Sequence, residues 1–179
     1  MEAATIDPRY PIGKYHRVKD ATPEMRSKAI AEIAVAPAKL RAAVVDLSNQ
    51  QLDTAYRDGG WRVRQLVHHV ADSHMNAYVR CKLALAETAP TVKPYEEKDW
   101  AEFVDAKTLP VGVSLTLLDA LHERWVVLLR GMKETDFART FLHPEHTGAE
   151  TVEWMLFLYA WHGRHHVAHV TELRKRKGW

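Results

Sequence analysis

From Arg62 to Glu87 the chain runs without a glycine or a proline, and its apolar residues recur three and four positions apart. That stretch is too long for a strand and has the period of a helix with one apolar stripe. Three further stretches share the pattern. Thr22-Pro23-Glu24 combines a capping hydroxyl, proline at the first helical position and an acid in the first turn, and predicts a helix from Pro23 to about Leu47. Pro37 lies inside it and predicts a kink or a split, because proline removes a backbone donor. After Pro110 and Gly112, SLTLLDALHERWVVLLRGM predicts a helix ending near Gly131. Thr151 with Glu153 opens the last helix, which runs to about Lys177 with Gly178 as its stop. Each stripe needs a partner. Four stripes with little strand signal predict an all-α fold, an up-down four-helix bundle.

The connecting segments carry shorter signals. SNQQLD reads as a capped helical turn, Gly59-Gly60 as a loop, and Pro90 and Pro94 as the bounds of another loop. A short helix is expected around Trp100 to Val104, and a short helix with a small hairpin in ETDFARTFLHPEHTGAE. Residues 1–20, with Pro8, Pro11 and Gly13, read as an extended arm, and residues 1–179 as one domain.

Several classes of function fall away. Formal net charge is +2, with both signs interspersed, so no basic stripe points to nucleic acid. The basic end RKRKGW complements the dipole of the last helix. Cys81 is the one cysteine, which rules out an internal disulfide and reads as a small buried hydrophobe. The longest apolar run, WMLFLYAW, is far shorter than the roughly 20 residues that span a bilayer. The start of the chain lacks an apolar signal core, so a cytoplasmic protein is expected, with neither membrane nor nucleic acid as partner.

Histidine is the outlier. WHGRHHVAHV places His162, His165, His166 and His169 in a stretch that otherwise reads as buried helix. Measured from His162, His166 lies at about +40°, His169 at about −20° and His165 at about −60°. All four lean to one side, and His162 with His166, or His165 with His169, can put two rings on one metal. Without a metal, each buried imidazole would need its own hydrogen-bond partner. A third ligand must come from elsewhere, and the second long helix offers HHVADSH. Helical phase points His69 nearly opposite the direction of Val67, Ala71, Tyr78 and Leu85, which predicts a surface residue. His68 and His74 remain as candidates, although His74 alone reads as a hydrogen-bonded core residue. Asp72, one turn after His68, could orient an imidazole. His16, His122, His143 and His146 lack a spaced partner.

YRDGGWRVRQLVHHVADSHMNAYVRCKLAL, PTVKPYEEKDWAE and FLHPEHTGAETVEWMLFLYAWHGRHHVAHVTEL follow one another, with YPIGKY near the start. Together they resemble the YfiT-like branch of the DinB superfamily over nearly the whole chain. The resemblance implies a four-helix bundle, a homodimer and one divalent metal per chain, zinc ahead of nickel. It implies His68, His162 and His166 as the metal ligands and leaves His165 and His169 in supporting or surface roles. It carries the label of metal-dependent hydrolase, while related bundles transfer a low-molecular-weight thiol such as bacillithiol, mycothiol or glutathione onto an electrophile.

Three protein ligands leave the coordination open, the arrangement of a catalytic site, and a metal there can activate a water or a thiol. No HExxH base is present, since Gly163 follows His162, and Asp72 and Glu153 are the helpers to consider. A thiolate needs less help than water, which tilts the expectation toward thiol transfer onto a small-molecule substrate. Arg64 and Arg164 are candidate clamps for a carboxylate on the thiol. The competing expectation is a non-catalytic metal-binding or dimerisation bundle with a structural histidine site.

Overall fold

The computed structural model describes residues 7–179, so residues 1–6 of the expected arm lie outside the described residues. Four long helices form the body: α1 (Pro23–Val44), α3 (Val63–Ala86), α6 (Val111–Arg130) and α8 (Val152–Lys177). Four short ones lie between them: α2 (Asn49–Leu52), α4 (Glu97–Trp100), α5 (Val104–Thr108) and α7 (Glu134–Phe137). The expected hairpin is β1 (Thr140–Leu142) paired antiparallel with β2 (Ala149–Thr151). The single short helix expected near Trp100 is two, α4 and α5.

The ends form where local chemistry puts them. The Thr22 hydroxyl accepts from the Met25 backbone and Thr151 from Trp154, while Ser48 and Gln51 close a capping box. Gly178, at φ 68°, takes the left-handed turn that stops α8. Pro37 does not split α1, which continues past it to Val44.

The four-helix bundle is the expected one, but its path is not a plain alternation. Arg26 meets Glu153 and Arg174 meets the Ala43 carbonyl, so α1 and α8 run the same way. His122 meets Ile33 and Asp119 meets Arg41, so α6 runs opposite to α1. His68 meets Ser114 and His74 meets His122, so α3 and α6 are parallel. The order is up-down-down-up, with α1 and α3 each packed against both α6 and α8. Two parallel helices in sequence need a return path, and residues 87–110 provide it along the flank of α3. Arg80 holds the Lys93 carbonyl, Gln65 that of Ala101, and Arg64 that of Leu109.

The interior divides into two apolar clusters. One includes Ile33, Trp125, Phe141, Met155 and Leu156; the other includes Leu40, Leu66, Leu118, Val170 and Leu173. Between them, at one level of the bundle, lie the buried rings of His74, His122 and His166 together with His162. The arm runs down the outer side of α8. His169 meets the Arg9 carbonyl, Tyr15 meets Trp161 with ring centroids 5.9 Å apart, and Arg17 pairs with Glu150.

The polar layer requires α1 and α8 to approach closely. A Cβ on Gly163 would stand 3.1 Å from the Ala36 Cβ and 3.8 Å from the His74 Cε1. Gly163→Leu should therefore destabilise the protein by about 1–3 kcal/mol through overpacking. Gly163→Ala should change stability much less, because a gain in helix propensity of about 1 kcal/mol offsets the tighter contact. Urea unfolding of the two variants measures both; a Leu variant as stable as the parent would contradict this packing.

Candidate metal centre

His69 on α3 and His162 and His166 on α8 converge. Each offers one ring nitrogen, and the three nitrogens lie within 4.8 Å of one another. The Nε2 atoms of His162 and His166 are 3.1 Å apart, as one turn of helix allows. The ring of His69 stands 5.6 Å from that of His162 and 5.1 Å from that of His166, centroid to centroid. All three line a pocket of about 390 Å³ whose walls include Trp61, Ser73, Tyr95 and Tyr159. Arg80, His143 and His146 also line it.

Burial sets the protonation of these rings. It lowers His69 to about 4, and holds His162 and His166 well below their ordinary value, with the neighbouring imidazoles adding to the effect. At neutral pH all three are uncharged, the state that offers a lone pair to a cation. The His166 Nδ1 is buried with no hydrogen-bond partner, so the cluster is not a closed hydrogen-bonded core. Three neutral nitrogen donors with an orphaned ring atom fit a zinc- or nickel-like divalent ion.

The structure brings together two of the three expected ligands and replaces the third. His68 is turned away: its Nδ1 lies 2.7 Å from the Ser114 Oγ and its Nε2 3.2 Å from the Leu109 carbonyl. A carbonyl only accepts, so Nε2 donates to it and Nδ1 accepts from the Ser114 hydroxyl. No lone pair of His68 is left for a metal. His69, expected at the surface, is the α3 ring that converges with His162 and His166. Helical phase misleads here because every residue from Val63 to Ala71 is buried. The return segment covers the side that would otherwise be solvent, while Tyr78 and Leu85, used to define the core face, are only partly buried.

Other expectations change on the same grounds. His74 is not among the converging nitrogens and stands behind His162, its Nε2 3.1 Å from the His162 Nδ1. His122, unremarkable in sequence, lies next to His74, and only the tertiary fold joins them. Asp72 lies outside the pocket lining; its carboxyl is pushed up to about 6 by burial and then by Asp105. Glu153 is paired with Arg26. Arg64 is buried and tied to Asp53, Asn49 and the Leu109 carbonyl, so it pins the return segment and clamps no ligand. Arg164 meets Glu32. His165 stacks on Trp161 and His169 on Tyr56, each with centroids 4.3 Å apart, in supporting roles beneath the arm. Cys81 is the expected buried hydrophobe, its thiol pushed up to about 11 by burial.

These buried rings make metal-free stability depend on pH. His69, His165 and His169 each titrate at about 4 in the folded chain, against 6.5 ordinarily. The unfolded chain therefore binds more protons between those values, and stability falls as pH falls. Each such ring contributes a slope of up to about 1.4 kcal/mol per pH unit. Urea unfolding of metal-free protein should show a loss of several kcal/mol from about pH 7 to about pH 5. A flat profile would contradict neutral burial.

The family model of the DinB superfamily matches residues 32–170. A Bacillus cereus (strain B4264) protein named "Putative metal-dependent hydrolase BCB4264_A2719" is 56% identical over 173 residues, covering 97% of this chain and 99% of that one. A protein of Oceanobacillus iheyensis named "Putative metal-dependent hydrolase OB0782" is 51% identical over 174 residues, covering 97% of this chain and 100% of that one. Among solved structures, YfiT from Bacillus subtilis superposes with a TM-score of 0.94 at 49% identity, covering 96% of this chain and 98% of that one. It is described as a probable metal-dependent hydrolase with an unusual four-helix bundle topology, and the up-down-down-up path found here is likewise no simple alternation. With that match over most of its length, the chain belongs to the DinB superfamily.

Proposed function

We propose that the chain is a metal-dependent enzyme of the hydrolase type, with one divalent metal held by His69, His162 and His166. The observation that carries this reading is the convergence of three neutral imidazole nitrogens on a pocket large enough for a small-molecule substrate. The names of the relatives agree with it. A bound divalent metal supplies Lewis acidity and brings the pKa of a water or a thiol down toward neutrality.

The chain's own residues do the rest. Trp61, with its ring 4.6 Å from that of His69, gives that ligand an apolar neighbour on the pocket wall. The Ser73 Oγ lies 3.3 Å from the Tyr159 hydroxyl, and Tyr95 lines the same pocket. Burial pushes both phenols above their ordinary value, so they keep their protons and can donate toward negative charge developing on a substrate. Arg80, the His143–His146 pair, Glu97 and Glu145 supply the polar part of the lining, where the polar groups of a substrate would be held.

A second reading is thiol transfer, in which a low-molecular-weight thiol such as bacillithiol, mycothiol or glutathione attacks an electrophile. The observation favouring it is that neither helper expected from sequence is available: Asp72 lies outside the lining, Glu153 is held by Arg26, and the carboxylates that do line the pocket, Glu97 and Glu145, are solvent-exposed. Water attack gains from such a base, whereas a metal-acidified thiol needs none. Three imidazoles suit zinc and nickel alike, with zinc the first expectation.

Chelator-treated protein reloaded with zinc or nickel separates the readings. Ester cleavage without added thiol, lost on metal removal and in His162→Ala, is the result expected of a hydrolase. Thiol consumption with a model electrophile, and no ester cleavage, would move the assignment to transfer. Neither activity in loaded protein would contradict both and leave a metal-binding bundle.

A further inference from the structure

We propose that His74 and His122 are positioning residues of the metal centre, fixing His162 with its proton on Nδ1 and its Nε2 bare toward the pocket. The purpose of this relay rests on the metal reading above; its geometry does not.

The relay begins at a backbone carbonyl. In an α-helix the C=O of Ile33 would accept from the N–H of residue 37, but residue 37 is proline and has none. The freed carbonyl is fully buried with its residue and meets the His122 Nδ1 at 2.7 Å. A carbonyl oxygen has no proton to give, so the His122 Nδ1 carries one and donates. In a neutral ring the other nitrogen is then bare. The His122 Nε2 lies 2.8 Å from the His74 Nδ1, which must donate to it. That leaves the His74 Nε2 bare, 3.1 Å from the His162 Nδ1, which must donate in turn. The last atom in the series, the His162 Nε2, is left bare, 3.1 Å from the His166 Nε2, where its lone pair can accept from that ring or meet a cation. The reverse order would set a bare His122 Nδ1 against the Ile33 oxygen, two lone pairs in contact with no proton between them. His74 and His122 are buried, and the bonds that link the three rings run to one another and to a carbonyl, with no carboxylate to hold a charge, so the rings are neutral and the order single.

Packing holds the rings in line. His74 and His122 stack with centroids 4.9 Å apart, and the faces of Trp125 and Tyr159 stand edge-on to His74. Gly163 lets α8 come close enough to α1 for the series to close. A hydrogen bond to the far nitrogen of a ligating histidine fixes its tautomer and raises its basicity, and removing one typically costs about 10- to 100-fold in metal affinity. Here the support is two imidazoles deep and ends at a carbonyl released by a proline.

Nitrogen-15 spectra of the histidine rings in metal-free protein test the tautomers directly. His122, His74 and His162 should all carry the proton on Nδ1; a proton on the His162 Nε2 would overturn the proposal. Zinc affinity, read by competition with a chromophoric chelator, tests the purpose. His74→Leu should bind zinc about 10- to 100-fold more weakly. His74→Gln, which can accept from His162 and donate to His122, should restore most of the loss, a rescue that mere filling of space would not give. An unchanged affinity in His74→Leu, or equal losses in the Leu and Gln variants, would overturn it. Should His74→Leu fail to fold, His122→Leu beside His122→Gln makes the same comparison one ring further out. Wild-type protein that takes up no zinc would overturn the metal reading, and the ring spectra would still decide the relay.

Discussion

An imidazole taken out of water must stay neutral and must find partners for its ring nitrogens. This chain buries a whole layer of them between two apolar clusters, and much of its architecture answers that demand. His122 takes the Ile33 carbonyl, His74 takes His122, and His162 takes His74. His69 and His166 face the pocket, and the His166 Nδ1 has no protein partner. On its inner side the layer is bonded ring to ring down to the Ile33 carbonyl, and on its outer side the Nε2 atoms of His162 and His166 stand 3.1 Å apart beside the pocket.

The unusual path of the bundle serves the same end. Parallel α3 and α6 force residues 87–110 to run back along α3, and the returning chain covers helix positions that a simple hairpin would leave wet. His68 is consumed by this cover, bonded to Ser114 and the Leu109 carbonyl, and Arg64 ties the same carbonyl down. Tyr95 arrives in the pocket on the same segment. One topological choice thus removes a histidine from the site and adds a phenol to it.

What was legible in the sequence follows from which physics is local. Caps and breaks are local, so Thr22-Pro23, Ser48, Thr151 and Gly178 marked their helix ends. The i,i+4 pair His162 and His166 was legible because one turn of one helix sets its geometry. Choosing among His68, His69 and His74 was not, because phase presumes one wet face and the N-terminal half of α3 has none. The resemblance to relatives pointed to His68, and the α3 ring that converges with the pair is its neighbour, His69. His122 had no sequence signal, since its partners lie on α1 and α3. Pro37 did carry one. It was legible as a lost backbone donor, but the group that takes the freed carbonyl belongs to a helix distant in sequence.

In the proposed site His69, not His68, completes the ligand set with His162 and His166. The most direct measurement is the metal content of protein purified without an affinity tag or added metal, for the parent, His68→Ala and His69→Ala, each checked for helical content by circular dichroism. About one zinc or nickel per chain is expected in the parent and in His68→Ala, and none in His69→Ala. Metal retained in a folded His69→Ala and lost from a folded His68→Ala would contradict that ligand set.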